Sequence, residues 1–515
     1  MNKQTAGALT PLSPSLQANV KAIQSRFGGS TDLVIRMFRS DAAPEREIAI
    51  LYVDGIVDTG TINESVMEPL MSMRLPPHAL VKGSKLLEAL RSCVVSIGSV
   101  QDIHALEQAL QYMTDGLCII LADGCPAALT ADVNGGDQRN VSIPQTQTVI
   151  RGPQHAFVEN LRTNISLVRR IIRSSDLHVQ VHKLGQQTHT NVAVLYVNGI
   201  VDEGIVKEVY RRLAAIDLDG VLESGYIEEF IQDETFTLFP TLLNTERPDT
   251  VAAALLEGRV AVMVDGSPIA LMAPTTFFSF FQSPEDYYQR FDIASFVRII
   301  RYAAYVVSIV LPAVYIAVTT FHQEMLPTTL LISLAAQREG IPFPGLAEAL
   351  LMELTFEVLR EAGLRMPRAI GPAISIVGAL VLGQSAVQAG IVSAGMVIVV
   401  SFTAISNFVM PEFNMAATSR IIRFLFTIMA GVFGFFGIFI SVLFMLIHLV
   451  SLRSFGVPYM SPIAPGPAKQ GLWRDAFIRL PWWAIVLRPM DLNLRNPKRQ
   501  ANGKRPPAQR HSSKP

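Results

Sequence analysis

The chain has 515 residues, of which 50% are hydrophobic and 17% charged, and its mean hydropathy is positive. Lys and Arg balance Asp and Glu at 43 each, so the basic surplus expected of a nucleic-acid-binding protein is missing. Cys93, Cys118 and Cys125 are irregularly spaced with no histidine beside them, which fits neither a disulfide framework nor a zinc site.

The N-terminal "MNKQTAGALTPLSPSLQ" has no apolar run and does not resemble a signal peptide. Residues 1–30 read as a disordered segment, and the half that follows is expected in the cytoplasm. That half is written twice. "LYVDGIVD" at 51–58 returns as "LYVNGIVD" at 195–202, and "GLCIILADGCPAAL" at 116–129 returns as "GRVAVMVDGSPIAL" at 258–271. The offsets are 144 and 142 residues, too long for a solenoid repeat. Each copy reads as two strands, helical segments and a hairpin turned at Asp123-Gly124 or Asp265-Gly266, where glycine accepts a positive φ at little cost. The expectation is two α/β subdomains, 31–148 and 177–292.

Asp58 and Asp202 stand where a strand gives way to a helix, and N-capping explains them more simply than catalysis or metal binding. No phosphate-cradling glycine loop, His-Glu zinc motif or nucleophile elbow occurs. The chain is therefore read as a non-enzyme without a cofactor. Between the copies, 149–176 reads as a linking helix with Val158, Leu161, Ile165, Val168 and Ile172 on one face. Arg162, Arg169, Arg170 and Arg173, with Arg151 upstream, make much of the remainder basic, either as a solvated face or as a contact with a neighbouring subunit.

The second half changes solvent. Residues 302–320 carry no charge and predict a membrane span kinked at Pro312. Ala369 to Pro411 gives 43 uncharged residues, enough for two spans, 370–388 and 391–410. A fourth is expected at 424–447, closing a transmembrane domain over 293–452. From Arg453 to Pro515 there are 12 Lys and Arg against two Asp, so this basic tail is expected in the cytoplasm together with the N-terminal domain. The fold class expected is a duplicated α/β soluble domain followed by an all-α transmembrane domain.

Two further helices, 327–337 and 345–363, are expected to lie in the membrane plane or re-enter it. The second carries Glu353, Glu357 and Glu361 on one face and Leu351, Leu354 and Val358 on the other. Acids at membrane depth point to a bundle interior or a watery path, and around a ring they would favour cations. The alternative is outward pairing, Glu357 with Arg360 and Glu361 with Arg365. Gln384, Gln388 and Asn407 are further candidates to line a conduit, and Gly431, Gly434 and Gly437 form a small stripe suited to close helix packing.

"PFPGLAEALLMELTFEVLREAGLRMPRAIGPAISIVGALVLGQSAVQAGIVSAGMVIVV", "SLRSFGVPYMSPIAP" and "RGPQHAFVENLRTNISLVRR" together resemble the GerA family, the A subunits of bacterial spore germinant receptors. The resemblance implies residence in the inner membrane of the spore, and a homo-oligomeric ring, pentameric in current models, that conducts monovalent cations. It also implies two partners, a transporter-like B subunit that binds the nutrient and a C-subunit lipoprotein. It departs at "LGQSAVQAG", where many relatives carry an acid in place of Gln384. A sporulation subunit of the SpoVAF type shares the architecture and is the alternative. A secondary transporter is disfavoured because the repeat lies outside the apolar half.

Overall fold

Glu47–Val53, EIAILYV, is aliphatic and almost wholly buried, so it takes a central place in a sheet rather than an edge. The computed structural model, which describes residues 10–39, 46–72, 83–93, 99–135, 143–365, 383–464, 472–488 and 494–500, puts it there. The chain divides into two units. The first comprises Met1–Gln232, Leu242–Pro274 and Ile485–Pro515, and the second Asp233–Thr241 and Thr275–Ala484.

In the first unit, helix α1 (Leu16–Arg26) precedes strands β1 (Leu33–Arg39) and β2 (Glu47–Val53). Short helices α2 (Thr59–Ile62), α3 (Glu68–Met71) and α4 (Gly83–Cys93) lead to β3 (Val100–Ile103), α5 (Leu106–Thr114), β4 (Leu117–Ala122) and β5 (Ala128–Asp132). The second copy follows the same plan with α6 (Leu161–Ile171), β6 (Leu177–Leu184), β7 (Thr190–Val197), α7 (Glu203–Ala214), α8 (Ser224–Ile231), β8 (Leu243–Thr245), α9 (Pro248–Leu256), β9 (Val260–Val264) and β10 (Ala270–Ala273). The sheet orders are β1-β2-β4-β5-β3 and β6-β7-β9-β10-β8, with antiparallel neighbours throughout, so the duplication read from two motifs extends to the topology.

The copies begin earlier than the motifs suggest. Residues 10–30, expected to be disordered, hold α1, whose Leu16 and Ile23 are buried with Phe27 in the first core. The helix expected to link the copies is the α1 of the second copy. The Asp123 carboxylate accepts from Leu16 N at 3.2 Å, and that of Asp265 from Leu161 N at 3.1 Å, so the turn aspartates also hold the starts of α1 and α6. Asn19 bonds both the N–H and the carbonyl of Ser13, as Asn164 bonds those of Val158. Val158 therefore lies in the turn before α6 and not on the helix.

In the second unit, a Phe-rich 3-10 turn (Phe277–Phe281) and α10 (Glu285–Tyr288) precede α11 (Phe291–Thr320), which runs 30 residues through Pro312. Then come α12 (Thr328–Arg338), α13 (Gly345–Arg365), α14 (Ala394–Phe408), α15 (Phe413–Phe433), α16 (Phe435–Ser451), a two-residue hairpin pairing Arg453–Ser454 with Val457–Pro458, and α17 (Leu472–Phe477). Helix α11 packs on α13, α14, α15 and α16.

Among the described residues two helices, Phe291–Thr320 and Phe413–Phe433, are long and apolar enough to cross a membrane, and the apolar helices Ala394–Asn407 and Phe435–Ser451 are shorter. The pattern differs from four simple spans. The 424–447 stretch is divided at Gly434, whose φ of 60° ends one helix and starts the next. Most of 370–388 lies outside the described residues. Residues 453–515 are divided as well. Up to Ala484 they belong to the second unit, whereas Arg495 pairs with Glu203 at 2.8 Å and Arg499 with Glu257 at 2.9 Å in the first.

The nine residues Asp233–Thr241 connect α8 to β8, yet belong to the helical unit. Their grip there is specific. Thr237 Oγ1 lies 2.9 Å from His448 Nε2, the Leu238 carbonyl accepts from Thr418 Oγ1, and that of Pro240 from Tyr459 Oη at 2.7 Å. Ser454 Oγ donates to the Thr241 carbonyl at 2.7 Å.

Candidate functional site

Pro344 ends the preceding loop, and the uninterrupted run GLAEALLMELTFEVLREAGLR then forms α13 from Gly345, passing through Gly363 to Arg365. Its orientation is the reverse of that in a water-soluble protein. Glu348 and Glu353 are fully buried, whereas Leu351, Leu354 and Val358 are 42%, 58% and 61% exposed. The acids face the bundle and the aliphatic side chains face out.

The inward acids meet specific partners. Glu353 lies 3.5 Å from Arg423 Nε and 3.5 Å from Thr427 Oγ1. Glu357 pairs with Arg420. Arg420, Arg423 and Thr427 lie at helical spacing on α15, so ascending α13 meets descending α15 as an antiparallel ladder. Glu357 therefore pairs across helices, not with Arg360, whose guanidinium lies over the rings of Phe408 and Phe413 at 5.7 and 5.8 Å. Glu361 takes the local pairing expected of it, with Arg365 at 2.7 Å on an exposed surface.

Glu348 was not singled out in the sequence, although a lone charge in "GLAEALLM" marks it. Its Oε1 accepts from Ser393 N at 2.6 Å and from Ser393 Oγ. Ser393 Oγ in turn accepts from Met396 N at 3.2 Å and caps α14. A carboxylate at a helix N-terminus also opposes the positive end of the helix dipole. The arrangement fixes the start of α14 to α13.

Asn407 is buried and donates to the Ala416 carbonyl at 3.1 Å and to Ser419 Oγ at 2.8 Å, tying α14 to α15. Gln384 and Gln388 are exposed. Among the six residues expected to line a conduit, the chain thus uses Glu353, Glu357 and Asn407 internally and leaves Glu361, Gln384 and Gln388 on its surface. The three glycines do not form one packing stripe. A methyl at Gly431 would fall 2.7 Å from Leu346 of α13 and one at Gly437 2.1 Å from the Met429 carbonyl, while Gly434 is the helix break.

The basic face of α6 also meets its own chain. Arg169 is buried, with Nε 2.7 Å from Asp32 and Nη2 bonded to Ser30. Arg162 pairs with Asp54, Arg170 donates to the Gly135 carbonyl at 2.6 Å, and Arg173 reaches Asp115 at 3.4 Å. All these partners lie in the first copy, which binds the second, while Arg151 is exposed and makes none of these contacts among the described residues. Asp58 and Asp202 cap α2 and α7 through Gly60 N at 2.9 Å and Gly204 N at 2.8 Å, and hydrogen bonds from Thr61 and Gly60 hold the Asp58 carboxyl below its ordinary range. Among the described residues no group of three His, Cys, Asp or Glu could hold a metal.

Spore germination protein KA of Bacillus subtilis is 48% identical over 96% of this chain and 90% of its own length. Spore germination protein GerLA of Bacillus cereus is 37% identical over 94% of this chain and 96% of its own. The crystal structure of the N-terminal domain of the A subunit of the Bacillus megaterium spore germinant receptor GerK3 matches 53% of this chain and 99% of its own at 34% identity, with a TM-score of 0.41. Residues 21–491 match the family described as Bacillus/Clostridium GerA spore germination protein, and the chain belongs to that family.

Proposed function

We propose that this chain is the A subunit of a germinant receptor, a non-enzymatic membrane protein that forms a homo-oligomeric cation channel in the inner membrane of the spore. The observation that carries the reading is the inside-out helical unit. Glu348, Glu353, Arg298, Arg423, Thr403 and Asn407 are buried, while Ile398, Phe402, Ile405, Phe408, Ile421, Leu425, Phe439 and Phe444 are 54–75% exposed. Such a surface is costly in water and suited to hydrocarbon or to apolar neighbours.

In this reading the α/β pair and the basic C-terminal residues lie in the cytoplasm. A transporter-like B subunit binds the nutrient, a C-subunit lipoprotein completes the receptor, and binding favours an open ring, pentameric by family resemblance, through its higher affinity for that state. The ladder of Glu353 and Glu357 holds each protomer together. The conduit face falls to the exposed Glu361, Gln384 and Gln388, through which monovalent cations pass. The test is potassium efflux from liposomes holding this subunit with its B and C partners. Efflux on nutrient addition is expected, and a tight liposome with all three subunits present would overturn the channel reading. Replacing Glu361 by Gln should change cation preference, whereas Glu353→Gln should first lower stability.

A further inference from the structure

The charge-free stretch of α11 begins at Tyr302, because Arg298 and Arg301 precede it. Those arginines do not face outward. Arg298 is fully buried, with Nη2 3.1 Å from Asp286, and Nη1 donates to the Asp475 carbonyl. Arg301 Nη1 lies 2.8 Å from Asp286 and 3.1 Å from the Phe281 carbonyl. One buried carboxylate thus holds two guanidinium groups, and Tyr302 Oη donates beside them to the Ala476 carbonyl at 3.0 Å.

The opposite side of the helix is apolar well before Tyr302. Phe296 is 65% exposed, Ile299 52%, Ile300 40% and Val306 57%. With exposed Ala303 between Ile300 and Val306, the steps are three or four residues, and these form one stripe that continues into the candidate span. Upstream the stripe ends at Asp292, exposed and paired with Arg290 at 2.8 Å, as a water-facing boundary requires. Beside the same segment Trp482 is 50% exposed while its Nε1 donates to the Tyr287 carbonyl at 3.1 Å, the half-wet setting in which tryptophan marks a bilayer interface.

We infer that the bilayer meets α11 at Phe296 and not at Tyr302, so that Arg298 and Arg301 sit at membrane depth on the protein side of a helix whose other side touches acyl chains. Resting on the membrane reading above, this assigns the Phe296–Val306 stripe to lipid. The lengths agree. From Phe296 to Val318 a helix rises roughly 33 Å, or about 31 Å at the usual tilt of about 20°, against a hydrocarbon core of about 30 Å. Starting at Tyr302, the helix to Thr320 rises only about 27 Å and leaves the Phe296 and Ile299 side chains in water.

The test attaches a nitroxide at Phe296→Cys, Ile300→Cys or Val306→Cys in the full chain in lipid nanodiscs. Cys93 is replaced by Ser, buried Cys118 and Cys125 stay in place, and the parent without the new cysteine serves as the labelling blank. Collisions with dissolved oxygen and with a water-soluble nickel chelate are then compared. Accessibility to oxygen with loss of nickel collisions at Phe296 and Ile300, as at Val306, is the expected result. Nickel access at Phe296 with none at Val306 would overturn this inference and leave the membrane reading intact, while nickel access at all three would overturn both. Shielding of Phe296 from both reagents would assign the stripe to protein, a second copy included, and would also overturn it.

Discussion

At Gly28 the backbone has a φ of 60°, and a methyl there would fall 2.1 Å from the His178 imidazole. The ring is buried, edge-on to Tyr196 at 5.4 Å, where the two copies meet. Burial pushes the imidazole below its ordinary value of 6.5, and the nearby Arg169 charge acts in the same direction against a backbone hydrogen bond to Arg26. The unfolded chain therefore takes up the proton first. The neutral ring's contribution to stability is complete above about pH 6.5 and declines as pH falls from there through the lower folded value. The denaturation midpoint of the full chain should drop between pH 7 and pH 5.5, and His178→Phe should flatten that drop. A wild-type slope unchanged by the substitution would remove His178 as its source. Little of this was legible beforehand. Asp58 and Asp202 could be read as caps because their partners lie two residues away, whereas Arg169 read as solvated or as a contact with a neighbouring subunit because Asp32 lies 137 residues away.

The elements tell a similar story about reach. The ladder between α13 and α15 joins residues more than 60 positions apart, and periodicity says which side chains share a face but not which face turns inward. On α13 both faces are regular, and the solvent decides between them. A charge exchange tests the ladder directly. Glu357→Arg alone should leave like charges against Arg420 and lower the thermal midpoint in detergent. Adding Arg420→Glu should recover much of the loss, with a coupling of about 0.5–3 kcal/mol, and strictly additive losses would show that the pair contributes nothing. Charge-free length located α11 and α15 but missed the break at Gly434, because a positive φ is invisible to a hydropathy window. It also started α11 too late, because Phe291–Arg301 contains charges that the fold hides.

For the whole molecule, the α/β class and its duplication were legible because two motif pairs kept their order and spacing. The extent of each copy was not, since α1 and α6 share no obvious motif and are related by the hydrogen bonds of Asp123, Asp265, Asn19 and Asn164. The run Asp233–Thr241 was equally hidden, being an unremarkable loop in the sequence. With it, the peptide backbone passes from one unit to the other four times, at 232/233, 241/242, 274/275 and 484/485. The native chain is expected to melt in one calorimetric transition, and replacing 234–240 by a Gly-Ser run of equal length should leave each unit folded but uncouple their melting into two separated transitions. A single transition in the replaced chain would count against the idea. Four covalent cords have a further consequence for nicking. A scissor cut in any one of them leaves the halves still yoked by three, so limited proteolysis there severs the sequence without parting the two units.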